Sequence, residues 1–121
     1  MSYIGTDIIE IARIKKAISR WGDSFLRRVF TDSELRLYCQ KPESLAARFA
    51  GKEAVIKALS GGNRGIRWRE IEILSDPGGQ PFVHLYGKAL NQAASLGLSQ
   101  LAISLSHSRE YAIALVIGET T

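Results

Sequence analysis

The sequence predicts an α+β domain with a mainly antiparallel sheet packed against helices. Three observations carry this. The chain opens on a short apolar stretch, Ser2 to Ile9. Its centre, Leu45 to Leu59, is proline-free and rich in alanine. Two pairs of short β-like stretches, each joined by a turn, follow that centre. At 121 residues the chain fits one compact domain, 1–121.

Taken in order, Ser2 to Ile9 reads as the first strand. Ile11, Ile14, Ile18 and Trp21 recur at helical spacing and predict an amphipathic helix. A short helical piece holds Phe25, Leu26, Val29 and Phe30. Thr31 followed by Glu34 has the form of a capping box, so a helix starts at Asp32 and runs to about Gln40. Pro42 ends that region, and Ser44 is the expected N-cap of the central helix. The run Ser60 to Gly65 breaks that helix as a loop. Glu70 to Ile73 alternates as a strand, Asp76-Pro77-Gly78-Gly79 is a turn, and Pro81 to Tyr86 returns as the second arm of a hairpin. Lys88 to Leu96 is helical, with Gly97 suited to its C-cap. Leu101 to Ser106 and Tyr111 to Ile117 are the last two strands, joined through 107–110.

Composition narrows the function classes. No apolar stretch approaches the ~20 residues of a bilayer span. Glu10 and Arg13 interrupt the apolar start too early for a signal peptide. Cys39 is the single cysteine, so no internal disulfide forms, which suits a cytoplasmic protein. One cysteine and two histidines exclude the usual Cys/His zinc site. The net charge of +4 and the pI near 9.5 favour an anionic partner: nucleic acid, a phosphorylated small molecule or an acidic protein.

The central helix carries the chemistry. Leu45, Phe49, Ile56 and Leu59 share one face, and Ala46, Ala47, Ala50, Gly51, Ala54 and Ala58 make the other face small. A helix apolar on both sides is normally buried, yet this one bears Arg48, Lys52, Glu53 and Lys57, with Lys52 inside the large apolar arc. Buried charges need a partner: each other, a metal or an anionic ligand. Glu53 and Lys57, four apart, could equally form an exposed ion pair. Asp7 lies in an apolar strand beside Gly5, where a ligand's close approach would be tolerated; alternatively it caps the following helix. Together Asp7 and Glu53 suggest a Mg²⁺ site, because magnesium takes one or two carboxylates and completes its shell with water and phosphate oxygens. Arg48, Lys52 and Lys57 would meet those phosphates.

Ile4-Gly5-Thr6-Asp7, followed by Arg48-Phe49-Ala50-Gly51-Lys52-Glu53-Ala54-Val55-Ile56-Lys57, resembles the paired signature of phosphopantetheinyl transferases. Phe30-Thr31-Asp32-Ser33-Glu34, Gly79-Gln80-Pro81 and the closing Ser104-Leu105-Ser106-His107-Ser108 resemble their small holo-[acyl-carrier-protein] synthase branch, over about Tyr3 to Gly118. The resemblance implies transfer of 4′-phosphopantetheine from coenzyme A to a serine of an acyl carrier protein. It implies Asp7 and Glu53 as Mg²⁺ ligands and Lys57 at the transferred phosphate. Arg48, Lys52, Gly62, Ser106, His107 and Ser108 would line the nucleotide site, and the chain would be a homotrimer with that site at the subunit boundary. The proton of the carrier serine is left with three candidate acceptors: Glu53, an aspartate of the carrier, or a metal-bound water.

Arg13, Lys16 and Arg20 form one stripe on the first helix, opposite Ile11, Ile14, Ile18 and Trp21. The stripe is either a solvated face or a dock for the acidic carrier, and the resemblance matches Arg13 to a docking arginine. Three positions depart from the family wording: Gly51 where a larger small residue is usual, Gln80 for lysine, and the loop around Gly62. Gly51 is expected to loosen the helix by about 1 kcal/mol relative to alanine. Two other readings are a basic nucleic-acid module and a catalytically idle carrier-binding protein. The first leaves Asp7 and Glu53 without a role and lacks a groove-reading motif or stacking array.

Overall fold

The computed structural model describes residues 1–59 and 65–120. Strand β1 (Ser2–Glu10) leads into α1 (Ile11–Trp21), α2 (Asp23–Val29), α3 (Asp32–Tyr38) and the long α4 (Pro42–Ala58). A 3-10 turn at Trp68–Glu70 introduces β2 (Ile71–Ser75), which pairs with β3 (Pro81–Leu85); α5 (Gly87–Ser95), β4 (Leu98–His107) and β5 (Tyr111–Thr120) complete the chain. Among the described residues all strand pairs are antiparallel. They form a three-stranded sheet in the order β1-β5-β4 and a separate β2-β3 hairpin. The α+β expectation therefore holds, with two sheets instead of one.

Period-two alternation decides which face of the large sheet is buried. Gly5, Ala112, Ala114 and Val116 face inward and are buried, and α4 lies across them. Helix α4 divides the interior. On one side Ala50, Ala54, Val55 and Ala58 pack with Ile71, Ile73, Ile103 and Val116. On the other, Leu45, Ala46 and Ala47 pack with Ile11, Ile14, Val29 and Phe30. This is why the helix is apolar all round.

Two glycines set the approach of α4. A Cβ on Gly5 would stand 1.9 Å from the Ala54 carbonyl oxygen, so Gly5 admits the helix backbone, not the ligand expected there. A Cβ on Gly51 would meet Ile73 Cδ1 at 2.6 Å, so Gly51 lets β2 close onto the helix. The start of α4 also differs from expectation. Lys41 is the N-cap and Pro42 sits in the first turn, where its fixed φ suits the helix and its missing N–H costs nothing. Ser44 is inside the helix. Trp21, expected on the buried side of α1, is 58% exposed, with the Arg20 guanidinium 5.0 Å above its ring.

Candidate active site

The capping box of α3 forms as its sequence predicts: Thr31 Oγ1 accepts from Glu34 N, and Glu34 Oε1 accepts from Thr31 N. Glu34 does more than cap, however. Its side chain is fully buried, and Lys52 Nζ lies 2.7 Å from Oε1. Ile73 N donates to Oε2 at 2.7 Å. Lys52 Nζ also donates to the carbonyls of Trp68, at 3.1 Å, and Ile71. A lysine ammonium has three hydrogens, and Glu34 and the two carbonyls take all of them. Burial pulls the Lys52 pKa below the ordinary lysine value, opposed chiefly by the Glu34 charge. Lys52 is expected from sequence in the nucleotide site; in the structure its charge answers a buried carboxylate inside the protein.

Arg48 is similarly engaged. Its Nε donates to Ile73 O at 2.9 Å and Nη2 to Ser75 Oγ at 3.0 Å, while the guanidinium lies 3.6 Å from the Tyr38 ring centroid. It is 5% exposed, and burial lowers its pKa. The sequence places Arg48 among phosphate ligands; in the structure two of its five N–H groups tie α4 to β2.

Of the remaining candidates, Asp7 and Lys57 meet where β1 crosses α4. Asp7 on β1 points toward the helix, and Lys57 Nζ lies 3.0 Å from its Oδ1 and 3.0 Å from the Thr6 carbonyl. The exposed Glu53–Lys57 pair considered from sequence is not formed. Lys57 instead bridges to the strand, and Glu53 Oε2 accepts from the indole Nε1–H of Trp68 at 2.8 Å. Trp68 stacks against Phe49, with centroids 5.7 Å apart. Trp68 and the buried role of Glu34 were not read from sequence. The capping-box spacing marks Glu34 as a cap, but nothing in it reports burial, and a tryptophan beside a loop has no local signature.

Glu53 also borders a cleft with Arg27, Arg28, Arg67, Trp68 and Arg69 on its wall. Its many arginines suit a polyanionic occupant. Arg13, Lys16 and Arg20 are exposed on α1.

Ser106, His107 and Ser108 close the far end of the β4–β5 hairpin and are exposed. Ser108 Oγ accepts from the backbone N–H groups of Glu110 and Tyr111 at 3.3 and 3.1 Å, shaping the turn. Asp7 pairs with Ala114, and Ala114 with Leu105. The closing motif thus lies two strands away from Asp7, on the order of 10 Å at ordinary strand spacing. Within one chain it is not brought together with Asp7 and Lys57. Gly62 lies outside the described residues.

The carboxylates of Asp7 and Glu53 are suitable donors for Mg²⁺ carrying a diphosphate. Among the described residues no cluster of three or more His, Cys, Asp or Glu is present that could hold a metal without such a ligand. Each carboxylate has one oxygen without a protein partner in the hydrogen bonds described above.

Comparison with known proteins identifies the family. The sequence model of the 4′-phosphopantetheinyl transferase superfamily matches residues 3–116. The chain belongs to that superfamily. Among curated transferase relatives, the holo-[acyl-carrier-protein] synthase of Dehalococcoides mccartyi is 58% identical over 98% of this chain and 99% of its own. That of Herpetosiphon aurantiacus is 46% identical over 98% of both. Among solved transferase structures, Helicobacter pylori holo-[acyl-carrier-protein] synthase in complex with coenzyme A superposes with a TM-score of 0.85 at 36% identity, covering 96% of this chain and 99% of that one. The Chronobacterium ammoniagenes coenzyme A complex gives 0.86 at 30% identity, covering 100% and 98%.

Proposed function

We propose that this transferase is a holo-[acyl-carrier-protein] synthase, moving 4′-phosphopantetheine from coenzyme A to a serine of apo acyl carrier protein. The observation that carries this reading is the contact of Lys57 with Asp7 across α4 and β1, with Glu53 one helical turn before Lys57, in a chain more than half identical, end to end, to a curated synthase.

In this reaction the serine oxygen attacks the phosphorus that bears pantetheine. The bond to the bridging diphosphate oxygen breaks, and adenosine 3′,5′-bisphosphate leaves. The barrier comes from repulsion between nucleophile and diphosphate and from charge developing on the leaving phosphate. Asp7 and Glu53 would hold Mg²⁺, which would supply countercharge to the diphosphate when bound. Lys57 is well positioned for the rest. Its ammonium is half exposed, with side-chain accessibility 56%. Two of its hydrogens orient it on β1, leaving one to donate to a phosphate oxygen. Lys52 is not a phosphate ligand in this account; it stiffens the helix that presents Glu53 and Lys57. Arg13, Lys16 and Arg20 would receive the acidic carrier, with their main effect on encounter rate.

The outer face of the large sheet supports a trimer. Ile4, Ile8, Ile113, Leu115 and Ile117 are 61, 60, 44, 44 and 37% exposed, and the register sets Ile8 beside Ile113 and Ile4 beside Ile117. A contiguous apolar face of this kind is rare on a monomer. Self-association through it would also allow His107, Ser106 and Ser108 of one chain to complete the nucleotide site of the next. Among the described residues no helix is long and apolar enough to cross a membrane. We place the reaction in the cytoplasm, in keeping with the free thiol of Cys39.

Ligand-induced stabilisation tests the reading. Coenzyme A with Mg²⁺ should raise the melting temperature, by about 2.7 kcal/mol of stabilisation at a hundred times Kd. Stabilisation by duplex or single-stranded DNA instead would favour the nucleic-acid module.

A further inference from the structure

We propose that Trp68 is a positioning residue for Glu53, fixing one carboxylate oxygen so that the other is presented to the metal. The inference rests on the reading of Glu53 as a metal ligand. Trp68 grips two consecutive residues of α4 from outside the helix. Its indole Nε1–H donates to Glu53 Oε2 at 2.8 Å, and its own carbonyl accepts from Lys52 Nζ at 3.1 Å. The ring is packed on Phe49 at 5.7 Å, and Lys52 is held in turn by Glu34 at 2.7 Å. The indole is therefore anchored at its backbone by a buried ion pair and at its face by an aromatic side chain before it meets the carboxylate.

A free glutamate rotates about three side-chain bonds. Here one oxygen is tied to a donor that can neither titrate nor accept. A ligating carboxylate is ordinarily hydrogen-bonded in this way, and losing the supporting donor typically weakens metal binding 10–100-fold. The role belongs to the N–H, not to the bulk of the ring, so phenylalanine at this position should keep the packing and lose the function.

The test uses Mn²⁺ as the probe, with coenzyme A present. The chain has two tryptophans, so in Trp21→Phe protein all tryptophan emission comes from Trp68. Mn²⁺ should quench that emission, with a midpoint equal to the dissociation constant measured by electron paramagnetic resonance. Trp68→Phe should raise that dissociation constant by about 10–100-fold and raise the Mg²⁺ concentration for half-maximal turnover in proportion. Saturating Mg²⁺ should restore kcat, with the KM for carrier protein unmoved. If Trp68→Phe binds Mn²⁺ as tightly as wild type while Glu53→Gln binds it far more weakly, the positioning role is overturned and the metal reading stands. If Mn²⁺ binds without quenching Trp68, or does not bind, both are overturned. The quenching arm needs no substitution at Trp68, so its absence overturns the proposal even if Trp68→Phe folds poorly.

Discussion

Lys57 Nζ and Asp7 Oδ1 lie 3.0 Å apart although the residues are 50 positions apart in sequence. The contact exists because Gly5, two residues before Asp7, has no side chain to hold α4 away from β1. A single glycine thus sets the distance between the carboxylate and the lysine of the candidate site.

Gly5→Ala is accordingly expected to abolish turnover. The new methyl would stand 1.9 Å from the Ala54 carbonyl and 2.8 Å from the Ala58 nitrogen, both backbone atoms of a packed helix. Strand and helix must part, with overpacking costs at or above about 1–3 kcal/mol. Urea unfolding and carrier modification together check this; a variant with wild-type stability and rate would contradict the packing account.

Lys57→Met should fold normally, since the lysine is half exposed, and should lower kcat by roughly 10²–10³, as removal of one electrostatic donor usually does. Steady-state kinetics at saturating coenzyme A give the answer. An unchanged kcat would remove Lys57 from the reaction.

Lys52→Met should chiefly destabilise, by about 3–5 kcal/mol, because it strands the buried Glu34 carboxylate. Adding Glu34→Gln should recover part of the loss, a coupling visible in a double-mutant cycle. The pH dependence has a definite sign. The folded pKa of Lys52 lies below its ordinary value of 10.5, so between the two values the unfolded chain binds more protons. Lys52 then makes wild-type stability rise with pH in that alkaline window. Urea midpoints across that range, compared with Lys52→Met, measure it.

Arg13→Glu should raise the KM for carrier protein several-fold, steeply dependent on salt, and leave coenzyme A binding intact. If neither parameter moves, the docking face is elsewhere.

Ile8→Glu, on the outer sheet face and 60% exposed, should convert a three-chain particle to a single chain in sedimentation. Turnover should fall with it, because the hairpin end bearing His107 would no longer reach a neighbour. A wild-type protein that sediments as an active monomer would refute the shared site.

The elements were legible because each has a local cause: the capping box before α3, the Asp76 turn, and the alternation along β5 that the register bears out. The start of α4 was missed because proline reads as a terminator unless it falls in the first turn. Asp7, Glu53 and Lys57 could be named from pattern, but their pairing could not. Lys57 chose Asp7 over its helical neighbour through a strand contact that has no sequence spacing. The internal partners of Lys52 and Arg48 are hidden from sequence for a related reason. A cation in an apolar arc calls for a partner, and the sequence offers no means of telling a buried glutamate on α3 from a phosphate in a cleft. Gly51, read as a loosened helix turn, is a contact surface for Ile73.

The central claim is tested most directly by mass spectrometry of apo acyl carrier protein incubated with coenzyme A, Mg²⁺ and this protein, wild type beside Asp7→Ala. The account predicts one phosphopantetheine added to the carrier serine by the wild type and none by a folded Asp7→Ala variant. A carrier left unmodified by the wild type, or modified equally by both, would contradict it.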